Sequence, residues 1–295
     1  MKENSIIYNT ILLPKLVSLR APKGRSNLAF KIASFASLPR NDTCWKILLL
    51  SLACSMIILA PFATTSAEEL SGQEIVKRAD DLLRGNTSQG TYKMTVTTPN
   101  WTRTLELTAY SEKRNKTFIR ILSPAKEAGI TTLRIDNNMW NYLPKVERTI
   151  KIPPSMMLQP WMGGDFTNDD LVKESSVVYD YTHKIIAEKD FDSQTSYEIE
   201  LLPKPNAAVT WGKIIYWVRK SDFVPLKEEF YDEHGKIIKI LEYTRIQKIS
   251  DRTIPAIWTM KSVTKEGCFT VIEIKNAVYN QPVDENVFSL ANLKS

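Results

Sequence analysis

Three strand-length runs are apolar at nearly consecutive positions: Ile214-Ile215-Tyr216-Trp217-Val218, Ile237-Ile238-Lys239-Ile240-Leu241 and Ile257-Trp258-Thr259-Met260. Successive side chains of a strand point to opposite faces, so each run asks for cover on both sides. An antiparallel sheet with one wet face would alternate apolar and polar residues instead. These runs predict a sheet that is strongly curved, or nearly closed on itself, with further elements packed in its concavity.

The surrounding chain supplies the strands and the cover. Ser71 followed by Glu74 has the spacing of a capping box, and Ile75, Val76, Ala79, Leu82 and Leu83 then recur at helical spacing up to Gly85-Asn86. This predicts an amphipathic helix whose apolar stripe lies on the sheet. After Gly90 the period becomes two: Tyr92, Met94 and Val96 alternate with polar residues, as do Leu105, Leu107 and Ala109 after a turn at Pro99-Asn100. Phe118–Leu122, Thr131–Ile135 and Met139–Leu143 continue the meander. So do runs at 177–181, 184–188, 196–202, 213–219, 225–231, 236–246, 256–264 and 269–278. Asp232-Glu233-His234-Gly235 and Lys265-Glu266-Gly267 read as hairpin turns, and Asp284 as the cap of a short final helix.

Charge is unevenly placed. Subtracting the eight Lys/Arg and two acids of residues 1–67 from the totals of 39 and 33 leaves 31 of each in residues 68–295. The net charge of +6 is thus a property of the leader and gives no support to nucleic-acid binding. Lys46, the apolar run Ile47 to Phe62 and the small residues Thr65-Ser66-Ala67 form a secretory signal. An uncleaved N-terminal anchor is the alternative, although the run is short against the roughly 20 residues of a spanning helix. Residues 1–67 are accordingly read as extension plus signal, and 68–295 as one exported domain. Cys44 and Cys54 lie in the leader, so Cys268 has no partner for an internal disulfide and is expected to be a buried thiol.

Between the two groups of strands lies an unusual segment. Trp140-Asn-Tyr142-Leu-Pro leads through a basic stretch to Pro153-Pro154. Ser-Met156-Met157-Leu158-Gln-Pro-Trp161-Met162-Gly163-Gly164-Asp165-Phe166-Thr-Asn-Asp-Asp-Leu171 then follows. Loops normally carry polar side chains; one with three methionines and a tryptophan covers something apolar, either its own core or a mouldable greasy ligand. The Trp-x-Tyr-Leu-Pro element and Met162-Gly-Gly-Asp-Phe-Thr-Asn-Asp-Asp-Leu171 resemble the LolA-like outer-membrane lipoprotein-sorting proteins of the bacterial envelope. The resemblance extends loosely over Glu68 to Leu293.

That resemblance implies a mostly β, α+β fold: a curved antiparallel half-barrel with helices covering its concave side and a hydrophobic cavity between them. It implies a periplasmic carrier of lipoprotein or lipid acyl chains. An inner-membrane transporter and an outer-membrane acceptor are its implied protein partners. Expected lipid-binding residues are Trp140, Tyr142, Met156, Met157, Leu158, Trp161, Met162 and Phe166, with Gly163 and Gly164 as hinge. The alternative is a non-enzymatic sensor or accessory subunit of a resistance-nodulation-type transporter.

Catalytic chemistry is not signalled. His183 and His234 lack neighbours at zinc-ligand spacing, and there is no nucleophile elbow, P-loop or dinucleotide fingerprint. No enzyme activity, cofactor or metal is therefore expected. Asp165, Asp169, Asp170 and Glu174 form an acidic group, read as helix-start residues favoured by Thr167 or Asn168 capping rather than as a cation site. Lys145, Arg148 and Lys151 read as a solvated face, with lipid phosphate or an acidic partner as the functional alternative.

Overall fold

The computed structural model describes residues 70–112, 115–172, 176–207 and 209–294; the expected secretory signal, Cys44 and Cys54 lie outside the described residues. A first helix, α1 (Gly72–Arg84), is followed by β1 (Thr87–Thr97), β2 (Thr102–Glu112), β3 (Lys116–Ser123), β4 (Thr131–Ile135), β5 (Asn138–Leu143) and β6 (Arg148–Lys151). A crossover segment, residues 152–180, contains the short helices α2 (Asn168–Val172) and α3 (Ser176–Tyr179). Then come β7 (Tyr181–Phe191), β8 (Gln194–Pro203), β9 (Lys213–Arg219), β10 (Pro225–Tyr231), β11 (Ile237–Ile249), β12 (Arg252–Ser262) and β13 (Phe269–Tyr279).

These strands make one 13-stranded antiparallel sheet in the order β6-β5-β4-β3-β2-β1-β13-β12-β11-β10-β9-β8-β7. Every neighbouring pair is a hairpin in sequence except β1 with β13, which joins two meanders (Met94 opposite Ile272, Val96 opposite Thr270). The sheet is curved and does not close, so β6 and β7 are its edges. The crossover segment connects one edge to the other.

Residues opposite one another on paired strands share a face. The covered face can therefore be followed from Ile214 and Tyr216 through Glu228 and Phe230, then Lys239 and Leu241, to Met260, Thr270 and Met94. The helix α1 lies on this face. Ser71 Oγ accepts from Glu74 N at 3.2 Å, and Gly85, with φ 63°, closes the C-terminus by donating to Asp81 O. The positive φ is what favours glycine there; a Cβ would also meet Asn280 Oδ1 at 2.6 Å, so that side chain would have to shift. Ile75, Val76, Ala79 and Leu83 are buried against β8–β12, each large side chain contributing about 1.5–3 kcal/mol. On β9 the residues Ile214, Tyr216 and Val218 belong to this core, whereas the alternating Ile215 and Trp217 join a separate cluster with Val224 and Leu226. The two-faced burial expected of that run is what the structure contains.

Two local expectations are corrected. Residues 177–181 are expected as a strand, but Ser176–Tyr179 is helical and β7 begins only at Tyr181. The carbonyls of this turn are taken by side chains from elsewhere: Gln73 Nε2 donates to Val178 O, His183 Nε2 to Val177 O and Lys204 Nζ to Tyr179 O. Burial of Val178 in the main core overrides the β-preference of the Val-Val pair. Cys268 is half-buried rather than buried, because it leaves the Lys265–Gly267 turn and its N–H is used on Lys265 O.

Burial is the main cause holding the His183 pKa below the ordinary value. The unfolded chain then binds more protons than the folded one as pH falls below about 6.5, so stability falls from there downward. Urea unfolding at pH 7.5 and 5.5 is expected to show a lower midpoint at pH 5.5, and His183→Gln to reduce that difference.

Candidate functional site

Between α1 and the covered face the chain leaves a cavity of about 130 Å³, well above the ~10–15 Å³ that one water molecule needs. Leu83 of α1 forms its roof, Phe166, Leu171 and Val177 of the crossover segment one side, and Ile214, Phe230, Leu241, Trp258, Met260 and Ile272 of β9–β13 its wall. A few polar groups are set into this apolar lining. Asp80 and Arg84 form an ion pair one helical turn apart. Glu228, 7% exposed, accepts a 2.6 Å hydrogen bond from the Tyr243 hydroxyl. Tyr181 donates to Trp211 O.

Burial above all, reinforced by the Glu228 carboxylate, pushes the hydroxyls of Tyr216 and Tyr243 well above the ordinary tyrosine pKa. Burial likewise raises Tyr181. All three remain neutral hydroxyls at physiological pH. Among the described residues no group of three or more His, Cys, Asp or Glu is placed to hold a metal ion. The lining is thus mainly apolar, with neutral hydroxyls and the charged side chains of Asp80, Arg84, Asp169, Asp170 and Glu228 at its border.

The crossover segment is fastened to the sheet through its acidic residues. Asp165 N donates to Thr270 Oγ1, which in turn donates to Asp165 Oδ2 at 2.7 Å; Thr270 is wholly buried on β13. Lys239 of β11 donates to Asp165 O and, at 2.6 Å, to Asp170 Oδ2. Asp170 also accepts from Thr167 N, while its own N–H donates to Thr167 Oγ1. That is the reciprocal cap expected at the start of α2. Thr210 Oγ1 donates to Asp169. Glu174 lies outside the described residues. The acidic group is therefore an anchor, which agrees with reading it as helix-start chemistry.

The expected lipid-binding residues are dispersed. Phe166 lines the cavity. Trp161, 3% exposed, with Met157 and Met162 against it, covers a neighbouring cluster containing Met94, Leu105, Ile121 and Met139, and its indole N–H donates to Thr132 Oγ1. Gly163 and Met162 both have positive φ, and Arg103 donates to Met162 O. Trp140 and Tyr142 sit opposite Leu133 and Thr131 and pack against the cluster of Phe118, Leu133, Phe288 and Leu293. Met156 and Leu158 are exposed.

A family model described as "Uncharacterized protein" matches residues 113–295. The chain belongs to that family. Solved structures similar to this chain include three from bacteria. A DUF1329 family protein from Desulfovibrio piger matches at 23% identity and TM-score 0.70, over 75% of this chain and 97% of that one. A LolA superfamily protein from Nitrosomonas europaea matches at 22% identity and TM-score 0.64, over 76% and 100%. A putative outer membrane lipoprotein-sorting protein domain from Vibrio parahaemolyticus matches at 21% identity and TM-score 0.64, over 76% and 98%. No curated protein matches. The fold is LolA-like, as the Trp-x-Tyr-Leu-Pro and Met-Gly-Gly-Asp-Phe elements imply.

Within this LolA-like fold, the cavity residues that sequence reasoning missed are mostly on α1 and β9–β13. One signal was available. Lys239 and Glu228 are charges inside otherwise strand-like runs, and at period two both fall on the covered face, where a charge needs a partner. Which partners they find, and that Glu228 borders a cavity, depends on the sheet order.

Proposed function

We propose that the protein is a periplasmic carrier that takes acyl chains of a lipoprotein or lipid into the cavity beneath α1 and conveys them toward the outer membrane. The observation that carries this reading is the apolar cavity on the helix-covered face of a LolA-like sheet. The similarity to the Vibrio parahaemolyticus neighbour, a putative outer membrane lipoprotein-sorting protein domain, supports it. So does the export signal read in residues 1–67 ahead of a single domain from residue 68. Binding is burial without reaction and needs no cofactor: each CH₂ removed from water contributes ~0.8 kcal/mol.

At about 130 Å³ the cavity is smaller than the roughly 300–1,000 Å³ of sites that enclose a drug-sized ligand. A full acyl chain therefore enters when the cover moves. Phe166 belongs to the wall; Met157, Trp161 and Met162, which lie over the neighbouring cluster rather than in the cavity, move with the cover, and Gly163 and Gly164 are its hinge.

Native mass spectrometry of residues 68–295, prepared from the envelope without detergent, tests this. An acylated species is expected to accompany the protein. Ile272→Trp, which fills the cavity, is expected to remove that species while lowering the thermal transition by roughly 2–12 °C, in keeping with overpacking costs of about 1–3 kcal/mol. A bare mass that takes up neither phospholipid nor lipopeptide would overturn the carrier reading in favour of an accessory subunit of a membrane transporter.

A further inference from the structure

Residues 144–160, which include edge strand β6, present a surface the cavity does not explain. From Lys145 to Pro160 every residue is exposed except Ile152, which is buried, and Met157, which is half-buried. Val146, Ile150, Met156 and Leu158 are 57%, 42%, 45% and 59% exposed. Among the described residues twelve large apolar side chains are exposed, and these four fall within 13 consecutive positions. Scattered singly, such residues need no explanation; gathered in one segment they mark an interaction surface.

The charges of the segment have the same concentration. Lys145, Arg148 and Lys151 face Glu147 alone as a local acid, although residues 68–295 are formally neutral. None of the three makes an ion pair among the described residues; Lys151 Nζ lies 5.6 Å from the Trp140 ring centroid. Elsewhere surface lysines do find carboxylates, as Lys189, Lys220 and Lys261 do with Glu198, Glu188 and Glu242.

The segment is also held in place. β6 pairs with β5 alone and leaves its other edge unpaired. Beyond it Pro153 and Pro154 restrict the chain. The carbonyls of Met156, Met157 and Gln159 accept from Asn168 Nδ2, Asp169 N and Asn168 N at the start of α2. Met157 is thereby rooted in the core while its neighbours Met156 and Leu158 point out.

We propose that this rim docks the protein on a bilayer containing anionic lipid. The apolar side chains enter the boundary between headgroups and acyl chains, while Lys145, Arg148 and Lys151 meet lipid phosphates. Arg148 and Ile150 lie on one face of β6 and Lys151, over the Trp140 ring, on the other, so cations and aliphatic prongs line both sides of the free sheet edge and together fit a negatively charged interface met edge-on. The inference stands apart from the cargo reading. Docking is read from sedimentation with protein-free vesicles and cargo from mass, so either can fail alone.

The test is co-sedimentation of residues 68–295 with vesicles of phosphatidylcholine containing or lacking phosphatidylglycerol, at low and high salt. Binding is expected to require phosphatidylglycerol and to weaken with salt. The K145E/R148E/K151E variant is expected to bind at least about tenfold more weakly. I150S/L158S is expected to lose most binding while retaining the wild-type thermal transition. K184E/K236E/K248E makes the same charge change at other exposed positions and is expected to keep most binding. Absence of binding to phosphatidylglycerol vesicles, binding indifferent to that lipid, or equal losses in the two triple variants would each overturn the proposal. The first result would instead make the rim a contact for protein.

Discussion

Lys239→Met is expected to lower stability by about 3–5 kcal/mol, the usual cost of leaving a buried carboxylate without its partner. The Lys239 and Asp170 side chains are only 9% and 15% exposed, and the lysine also serves the Asp165 carbonyl. Because the lysine binds the crossover segment to β11, the loss falls first on that segment. Limited proteolysis should cut between Pro153 and Thr167 before the rest of the domain unfolds. Asp170→Asn keeps a side-chain acceptor for Thr167 N while removing the charge, so adding it to Lys239→Met is expected to restore part of the loss. Urea unfolding of the four proteins gives the coupling. A single Lys239→Met variant within about 0.5 kcal/mol of wild type would mean that the pair does not hold the segment.

Trp161→Ala is expected to cost a similar amount, about 3–5 kcal/mol, through a cavity in the cluster of Met94, Leu105 and Met139. Trp161→Phe separates packing from polarity. It keeps most of the apolar bulk and loses only the indole donor to Thr132 Oγ1, so a loss nearer 1 kcal/mol is expected. Calorimetry of the two variants distinguishes these contributions. Equal losses would place the stabilisation in the hydrogen bond rather than in burial.

Much of the fold was legible because local chemistry and tertiary packing agree. Ser71 and Glu74 mark the start of α1, Gly85 its end, and its apolar stripe is the one that meets the sheet. Asp232 shapes its hairpin turn by accepting from the backbone of His234 and Lys236, and Gly235 supplies the positive φ. Asp284 caps a 3₁₀ turn by accepting from Asn286 N. The runs without alternation on β9, β11 and β12 pointed to curvature, because only cover on both faces accommodates them. Illegibility began where distant side chains decide: the turn at Ser176–Tyr179 depends on Gln73, His183 and Lys204.

The site was legible in part for the same reason. The Met-rich segment was recognisable as an apolar cover, and Phe166 does reach the cavity. That Trp140 and Tyr142 turn to the opposite face follows from pairing of β4 with β5, which a single sequence does not state. The cavity wall is assembled from strands whose adjacency comes from the β1–β13 pairing.

That pairing also bears on how the chain reaches its folded state. Hairpins from β1 to β6, and again from β7 to β13, bring together residues close in sequence, so each half can order itself as it emerges. Strand β1 finds its second neighbour only in β13, with Ser88 opposite Tyr279. Until that late strand arrives, β1 and β12 each expose an unpaired backbone edge and half a core, the condition in which chains associate wrongly. Strand β13 would then be the element that makes the domain safe from aggregation, and truncation before Phe269 would forfeit solubility as well as a strand.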